Sequence, residues 1–285
     1  MSPPPHDFPQ LFDRLPENFD DDLHTKPEIQ RAWRKVRNTE HFVGSIAADD
    51  HAMWLRGLDY YAWLHEQLDQ SLAALLGALD RLGVYDETMI VYTSDHGDAC
   101  GSHGLRAKLP CVYEEVMGVP LIVKAPQSQA ATPAGSSTDA LATHVDLATT
   151  IVAAGGGDAT DLSGQDLAPV LDDPGQSVRD YVLFSQDSAQ SELLRQSRYA
   201  LRGFYDGTTK YARYYGIGGG IQRDGTPAPE GKVFDVDADF DDQDHEWYET
   251  DKDPHELVNL ANDRGRRGRL RELYDRLKGY EDAEL

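Results

Sequence analysis

A chain of 285 residues with 40% hydrophobic content has enough apolar material for one large globular domain or two modest ones. Its formal net charge of −23 repels nucleic acid and anionic membranes, which argues against either as a partner. No stretch approaches the roughly 20 apolar residues of a membrane span, and the opening "MSPPPHDFPQ" lacks the basic and apolar regions of a signal peptide, so a cytoplasmic location is expected. Residues 1 to about 27, "MSPPPHDFPQLFDRLPENFDDDLHTKP", read as an extended surface arm, and residues 1–50 together as that arm and a helix lead-in. From about Trp54 to Leu82 the leucines 64, 68, 72, 75, 76, 79 and 82 recur at three- and four-residue steps and predict one long helix with an apolar stripe. Gly83 stops it. Asp49 and Asp50, just ahead of it, read as its N-terminus, where acids are favoured.

"TMIVYTS" (88–94) and "VPLIVKA" (119–125) are short, β-branched, mostly apolar runs, expected as buried strands. "QSQAATPAGSST" is a loop, "THVDLATTIVAAGGG" a helix with a glycine terminus, and "DYVLFS" a third strand. After about Leu194 the character changes. "RYALRGFYDGTTKYARYY" reads as an antiparallel hairpin turning at "DGTT", and a closing helix runs from about Arg264 to Tyr280. Helix and strand alternation followed by hairpins predicts an α/β part over 51–193 and a small C-terminal antiparallel β plus helix subdomain over 194–285. The hairpin residues Lys210, Tyr211, Tyr214 and Tyr215 read first as packed sheet and second as the border of a substrate cleft.

The chemistry concentrates in "VYTSDHGDACGSHGLRAK". In an open α/β sheet, ligands sit beyond the carboxyl ends of the strands, and Asp95 and His96 stand at such a point. Neighbours on a regular strand face opposite ways, but past the strand end, beside Gly97, both can face one ligand. A carboxylate and an imidazole suit a divalent cation, and the imidazole favours a first-row transition ion over calcium. An exposed polar loop is the other reading of these two residues. Asp98 reads as a turn carboxylate bonded to its own backbone. His103, between Ser102 and Gly104, is either a substrate contact or the occupant of a permissive turn. Lys108 alone would be a solvated surface charge; brought back over a cation, it would bind an anionic group and neutralise a leaving oxygen. The two cysteines, Cys100 and Cys111, read as free thiols. Asp supplies 35 of the 50 acids and Lys only 8 of the 27 basic residues, a balance suited to a high-salt cytoplasm.

Four stretches, in order, carry a resemblance. They are "LDYYAWLHEQLDQSLAALLGALDRLGVYDETMIVYTSDHGDACGSHGL", "YEEVMGVPLIVKAP", "THVDLATTIVAAGG" with "LSGQDLAPVL", and "HEWYETDKDPHELVNLAND". The chain is similar to sulfatases of the alkaline-phosphatase-like superfamily. That resemblance implies a mostly parallel sheet flanked by helices, here incomplete, and hydrolysis of sulfate esters of small molecules or glycans. It implies that Asp95 and His96 are metal ligands and that Lys108 holds the sulfate and the bridging oxygen. His103 is carried as a substrate contact. His6, in "PPPHDF", is carried as a general acid near the leaving oxygen, and His144 matches the pattern but reads better as a helix start. Many relatives have Asn at the position of His96; the His form resembles choline sulfatases and phosphonate monoester hydrolases. It keeps Ca²⁺ and Mn²⁺ both in view as the divalent metal, and a phosphoester or phosphonate hydrolase or phosphoryl transferase as the alternative activity.

The family's nucleophile is the formylglycine made from Cys/Ser-x-Pro-x-Arg, and no such motif occurs in these 285 residues. The apolar strand ending in Asp-Asp, which supplies the first metal ligands, is also missing. The sequence therefore resembles the C-terminal portion of a sulfatase. It is expected to turn over poorly or not at all alone, to need a complementing N-terminal half, or to be a non-catalytic binder of metal or sulfated ligands.

Overall fold

The computed structural model describes residues 8–39, 44–187, 197–216 and 236–285. Their described parts form two compact units. One comprises segments 8–23, 33–109 and 113–128, the other 24–32, 110–112 and 129–285. The division falls at 128/129, not at the 193/194 boundary expected from composition. The physical reason is the third strand, which hydrogen-bonds to the hairpin that follows it and so belongs to the second unit's sheet.

A first helix, α1 (Glu28–Thr39), lies within the region expected to be an arm and lead-in. Ile29, Trp33 and Val36 are buried at helical spacing, a signal diluted by the charged residues between them. The long helix α2 (His51–Arg81) begins as expected at Asp50, whose carboxylate accepts from the Met53 N–H at 3.1 Å. It is followed by Gly83 in the left-handed region (φ 68°). Asp59 is buried on α2 and accepts from the Leu11 and Phe12 N–H groups at 2.7 and 3.1 Å, which ties the N-terminal arm to the helix.

Strand β1 (Ile90–Thr93) pairs antiparallel with β2 (Leu121–Lys124), Ile90 opposite Lys124 and Thr93 opposite Leu121. A short helix α3 (Glu114–Met117) lies between them in sequence. Neither strand is buried as the apolar runs suggested; Ile122 is 64% exposed. The α2 stripe is also largely open, with Leu68 at 51% and Leu75 at 59%. Between helix and ribbon lies a groove of about 460 Å³ lined by Leu68, Leu72, Leu76, Tyr85, Ile90 and Ile122. Strands of four residues span only about 14 Å and cannot cover a 31-residue helix, which runs about 46 Å. No described helix is long and apolar enough to cross a membrane.

The second unit holds α4 (His144–Ala154), α5 (Ala168–Asp172), and a four-stranded antiparallel sheet in the order β3 (Val182–Gln186), β4 (Ala200–Tyr205), β5 (Thr209–Tyr215), β6 (Asp244–Glu249). All strand pairing among the described residues is antiparallel, so the parallel part expected of the α/β class is not among them. Asp146, in the first turn of α4, is fully buried and accepts from the N–H groups of Thr143 (2.9 Å) and Gln165 (2.8 Å) and from Arg179 Nε (3.0 Å). His144 is the first residue of α4, the helix-start reading. Helix α6 (Arg267–Glu284) packs Leu270, Leu273 and Leu277 against Phe204, Tyr211 and Trp247 of the sheet. Lys210, Tyr211, Tyr214 and Tyr215 are all buried, as packed sheet requires. Arg213, with no exposed surface, makes a two-point bond to Glu281 at 2.9 and 2.7 Å.

His245 in β6 lies against this core. Its Nε2 donates to the Phe240 carbonyl at 2.9 Å, so its Nδ1 accepts from the Tyr211 hydroxyl at 2.9 Å. Burial pushes the imidazole down to about 4, and nearby arginines add to the effect. The unfolded chain takes up the proton first as pH falls, so this contribution is complete above pH 6.5 and lost by about pH 4. It is worth on the order of 3 kcal/mol. Thermal unfolding between pH 7 and 4.5 should show a steeper loss of Tm in the wild type than in His245→Gln, and parallel curves would refute the assignment.

Candidate functional site

Beyond Thr93 the chain leaves β1 and makes a tight loop. Gly97 is required there: its N–H donates to the Val116 carbonyl at 2.9 Å, and a Cβ would stand 2.0 Å from the Glu115 carbonyl oxygen. This close approach holds Asp95 and His96 at the end of the strand. The Asp95 side chain is 80% exposed and that of His96 36%, with Oδ2 and Nε2 3.3 Å apart. His96 Nδ1 lies 2.7 Å from the Gly97 carbonyl. A carbonyl only accepts, so Nδ1 carries the hydrogen and Nε2 is turned toward Asp95. Such a bond is the usual means of orienting a metal-bound imidazole. Desolvation pushes the Asp95 carboxyl up, but His96, backbone N–H bonds and the Lys108 ammonium outweigh it and hold the group below its ordinary range.

Lys108 is exposed, and its charge acts on Asp95. It is reached through a closed loop. Asp98 Oδ1 accepts from the N–H groups of Cys100 (2.9 Å) and Ala107 (3.0 Å), so the turn reading of Asp98 is right and incomplete. The structure places Asp95 and His96 side by side just beyond the end of β1 and leaves Lys108 exposed where the loop that follows closes; His103 is set apart from them.

His103 is fully buried in the left-handed region (φ 55°), stacked on Tyr113 at 3.7 Å. Nδ1 bonds Asp21 at 2.7 Å and Nε2 meets the Asn18 amide at 3.1 Å, so both nitrogens serve the protein. The substrate contact expected of His103 gives way to an anchoring role, because no ring edge reaches solvent. The expected acid His6 lies outside the described residues. Asn18, Asp21, Trp33 (to the Arg106 carbonyl, 3.1 Å) and Asn38 (to the Gly104 carbonyl, 3.2 Å) all hold this loop. Sequence reasoning missed them because their partners are 66 to 85 positions away.

Asp95 and His96 fit one side of a divalent cation and do not complete its shell. No group of three or more His, Cys, Asp or Glu among the described residues converges as a cage. Neither cysteine offers a nucleophile. Cys111 is fully buried, and the Cys100 thiol is pushed far up by burial and then by Asp98, which suppresses the thiolate.

A family model described as Sulfatase matches residues 1–157. The chain is 28% identical over 243 residues to an N-acetylglucosamine-6-O-sulfatase of Bacteroides thetaiotaomicron, covering 82% of this chain and 38% of that one. Among solved structures, it resembles a 2-O GAG sulfatase with a TM-score of 0.70 at 21% identity, over 98% of this chain and 54% of the other. It also resembles a protein solved in complex with its substrate D-glucosamine-2-N,6-O-disulfate, with a TM-score of 0.66 at 24% identity, over 89% and 45%. The chain thus spans about half or less of the length of these relatives.

His103→Ala should lower the stability of the unit bearing it by roughly 3 kcal/mol, since it removes one partner each from the Asp21 carboxylate and the Asn18 amide and opens a cavity. Urea unfolding measures this, and an unchanged midpoint would rule out the anchoring role.

Proposed function

The chain belongs to the sulfatase family, and on that premise we propose that it carries one side of the catalytic centre of a sulfate-ester hydrolase acting on sulfated sugars. The observation that carries this reading is Asp95 and His96 side by side just beyond β1, with Oδ2 and Nε2 3.3 Å apart, and the exposed Lys108 at the close of the loop that follows. Asp95 and His96 Nε2 would hold a divalent cation, Mn²⁺ or Ca²⁺, the imidazole favouring the transition ion. When bound, such an ion withdraws charge from a sulfate oxygen. Lys108 would hold the sulfate group and counter the negative charge that grows on the leaving oxygen. The sugar class is supported by the relative named for N-acetylglucosamine 6-O-sulfate.

The Cys/Ser-x-Pro-x-Arg motif does not occur in these 285 residues, and no group of three or more possible ligands converges among the described ones. In this reading the nucleophile and the remaining cation ligands come from a further polypeptide segment, whether continuous with this chain or separate. The open leucine face of α2 supports that reading. Each leucine such a segment covered would contribute about 2 kcal/mol, enough in sum to hold it in place. Because ligands collect at the carboxyl ends of strands, a segment completing the site would present its acids at the same end as β1. The net charge of −23 supports a location and partners away from nucleic acid and anionic membranes.

Two measurements test the reading. The purified chain should give no turnover of 4-nitrophenyl sulfate with either Mn²⁺ or Ca²⁺, and family-like turnover would contradict the incomplete centre. In 1 M KCl, where diffuse binding to surface acids is screened, an electron paramagnetic resonance titration should find one Mn²⁺ site that Asp95→Ala and His96→Ala each abolish. Binding that survives both substitutions would sink the metal assignment.

A further inference from the structure

We propose that Asp98 is a positioning residue, the clasp that sets the Lys108 ammonium against Asp95 and His96. This rests on the reading above, in which those three side chains act together. The loop from Ala99 to Ala107 is closed at its neck: the Ala99 N–H donates to the Ala107 carbonyl at 3.2 Å, and the Gly101 N–H to the Leu105 carbonyl at 2.8 Å. Asp98 Oδ1 takes the two remaining N–H groups at that neck, Cys100 at 2.9 Å and Ala107 at 3.0 Å. Lys108 is the next residue out.

The two residues whose N–H groups Asp98 accepts are also left-handed without being glycine, Cys100 at φ 47° and Ala107 at φ 61°. A side-chain-bearing residue keeps that conformation only where its surroundings over-determine it. Here a single oxygen does so for both. Leu105 and Leu109, on either side of Lys108, are buried, so the direction in which Lys108 leaves the surface follows from how the neck closes. His103 fixes the tip of the same loop through Asn18 and Asp21, while Asp98 fixes its base. The requirement is for an acceptor that reaches two N–H groups at once, and the formal charge is secondary to that reach. Asparagine satisfies it. Serine still accepts locally from Cys100 but is too short to span to Ala107.

The test is zero-length carbodiimide cross-linking of the full chain, with the Asp95–Lys108 amide quantified by peptide mass spectrometry. The wild type should form this link. Asp98→Asn should stay within about twofold of it, and Asp98→Ser should fall roughly tenfold, as expected when a backbone hydrogen bond holding the neck is lost. Far-UV circular dichroism and Tm, read on each variant, confirm that the comparison is between folded chains. No link in the wild type, equal yields in all three proteins, or loss in Asp98→Asn alongside Asp98→Ser would overturn the proposal. Because the readout needs no turnover, such a result would leave the sulfatase reading standing. Conversely, loss of the Mn²⁺ site assignment would leave a positive cross-linking result intact.

Discussion

A helix with leucines along one face must set them against a second layer, and α2 does so only in part. Trp54 is the sole hydrophobic side chain it buries fully, while Leu68 and Leu75 remain more than half exposed beside the open groove toward β1 and β2. That constraint shapes the first unit. The ribbon β1–β2 supplies the strand from which the loop bearing Asp95 and His96 springs, yet it is too small to be the sheet that such a helix requires. The first unit thus leaves leucines without cover beside the loop that bears Asp95 and His96.

What the unit does complete is the loop. A carboxylate at its base and a buried imidazole at its tip hold ten residues of mostly irregular backbone in a defined path. Irregular backbone is normally the softest part of a fold. Here five residues in the left-handed region, Cys100, Gly101, His103, Gly104 and Ala107, are packed into eight positions. They are stabilised by side chains of the N-terminal arm and of α1 as well as by the loop itself. That conformational cost fixes the backbone from which Lys108 leaves the surface.

The second unit is finished by comparison. Its antiparallel sheet is covered by α6 and cross-tied by buried ion pairs, Arg213 with Glu281 and Lys210 with Glu256. Buried pairs of this kind add little net stability but strongly disfavour alternative arrangements, because either partner alone would be an uncompensated charge. They are also beyond the reach of salt, unlike the many acids on the surface.

Periodicity made the regular elements legible. The leucine steps of α2, the apolar runs of β1 to β3, the Asp-Gly turn of the hairpin and the capped start of α4 all depend on residues close in sequence. The order of four motifs likewise marked the family, and the position of Asp95 and His96 at a strand end followed from local pattern. The sequence did not reveal α1, whose apolar positions are separated by charges, nor the exposure of strands whose composition is that of a buried sheet. Burial depends on what packs above a residue, and nothing in "VPLIVKA" encodes that. The role of His103 was equally out of reach: imidazoles at a binding rim and in a core look alike in sequence, and only its tertiary neighbours Asn18, Asp21 and Tyr113 decide between them. By itself, then, the sequence determined the family and the order of its motifs, because those are set by residue type and local spacing. Only the tertiary structure decided which of those residues stay exposed and which serve the packing, because contacts between residues some 80 positions apart leave no periodic trace.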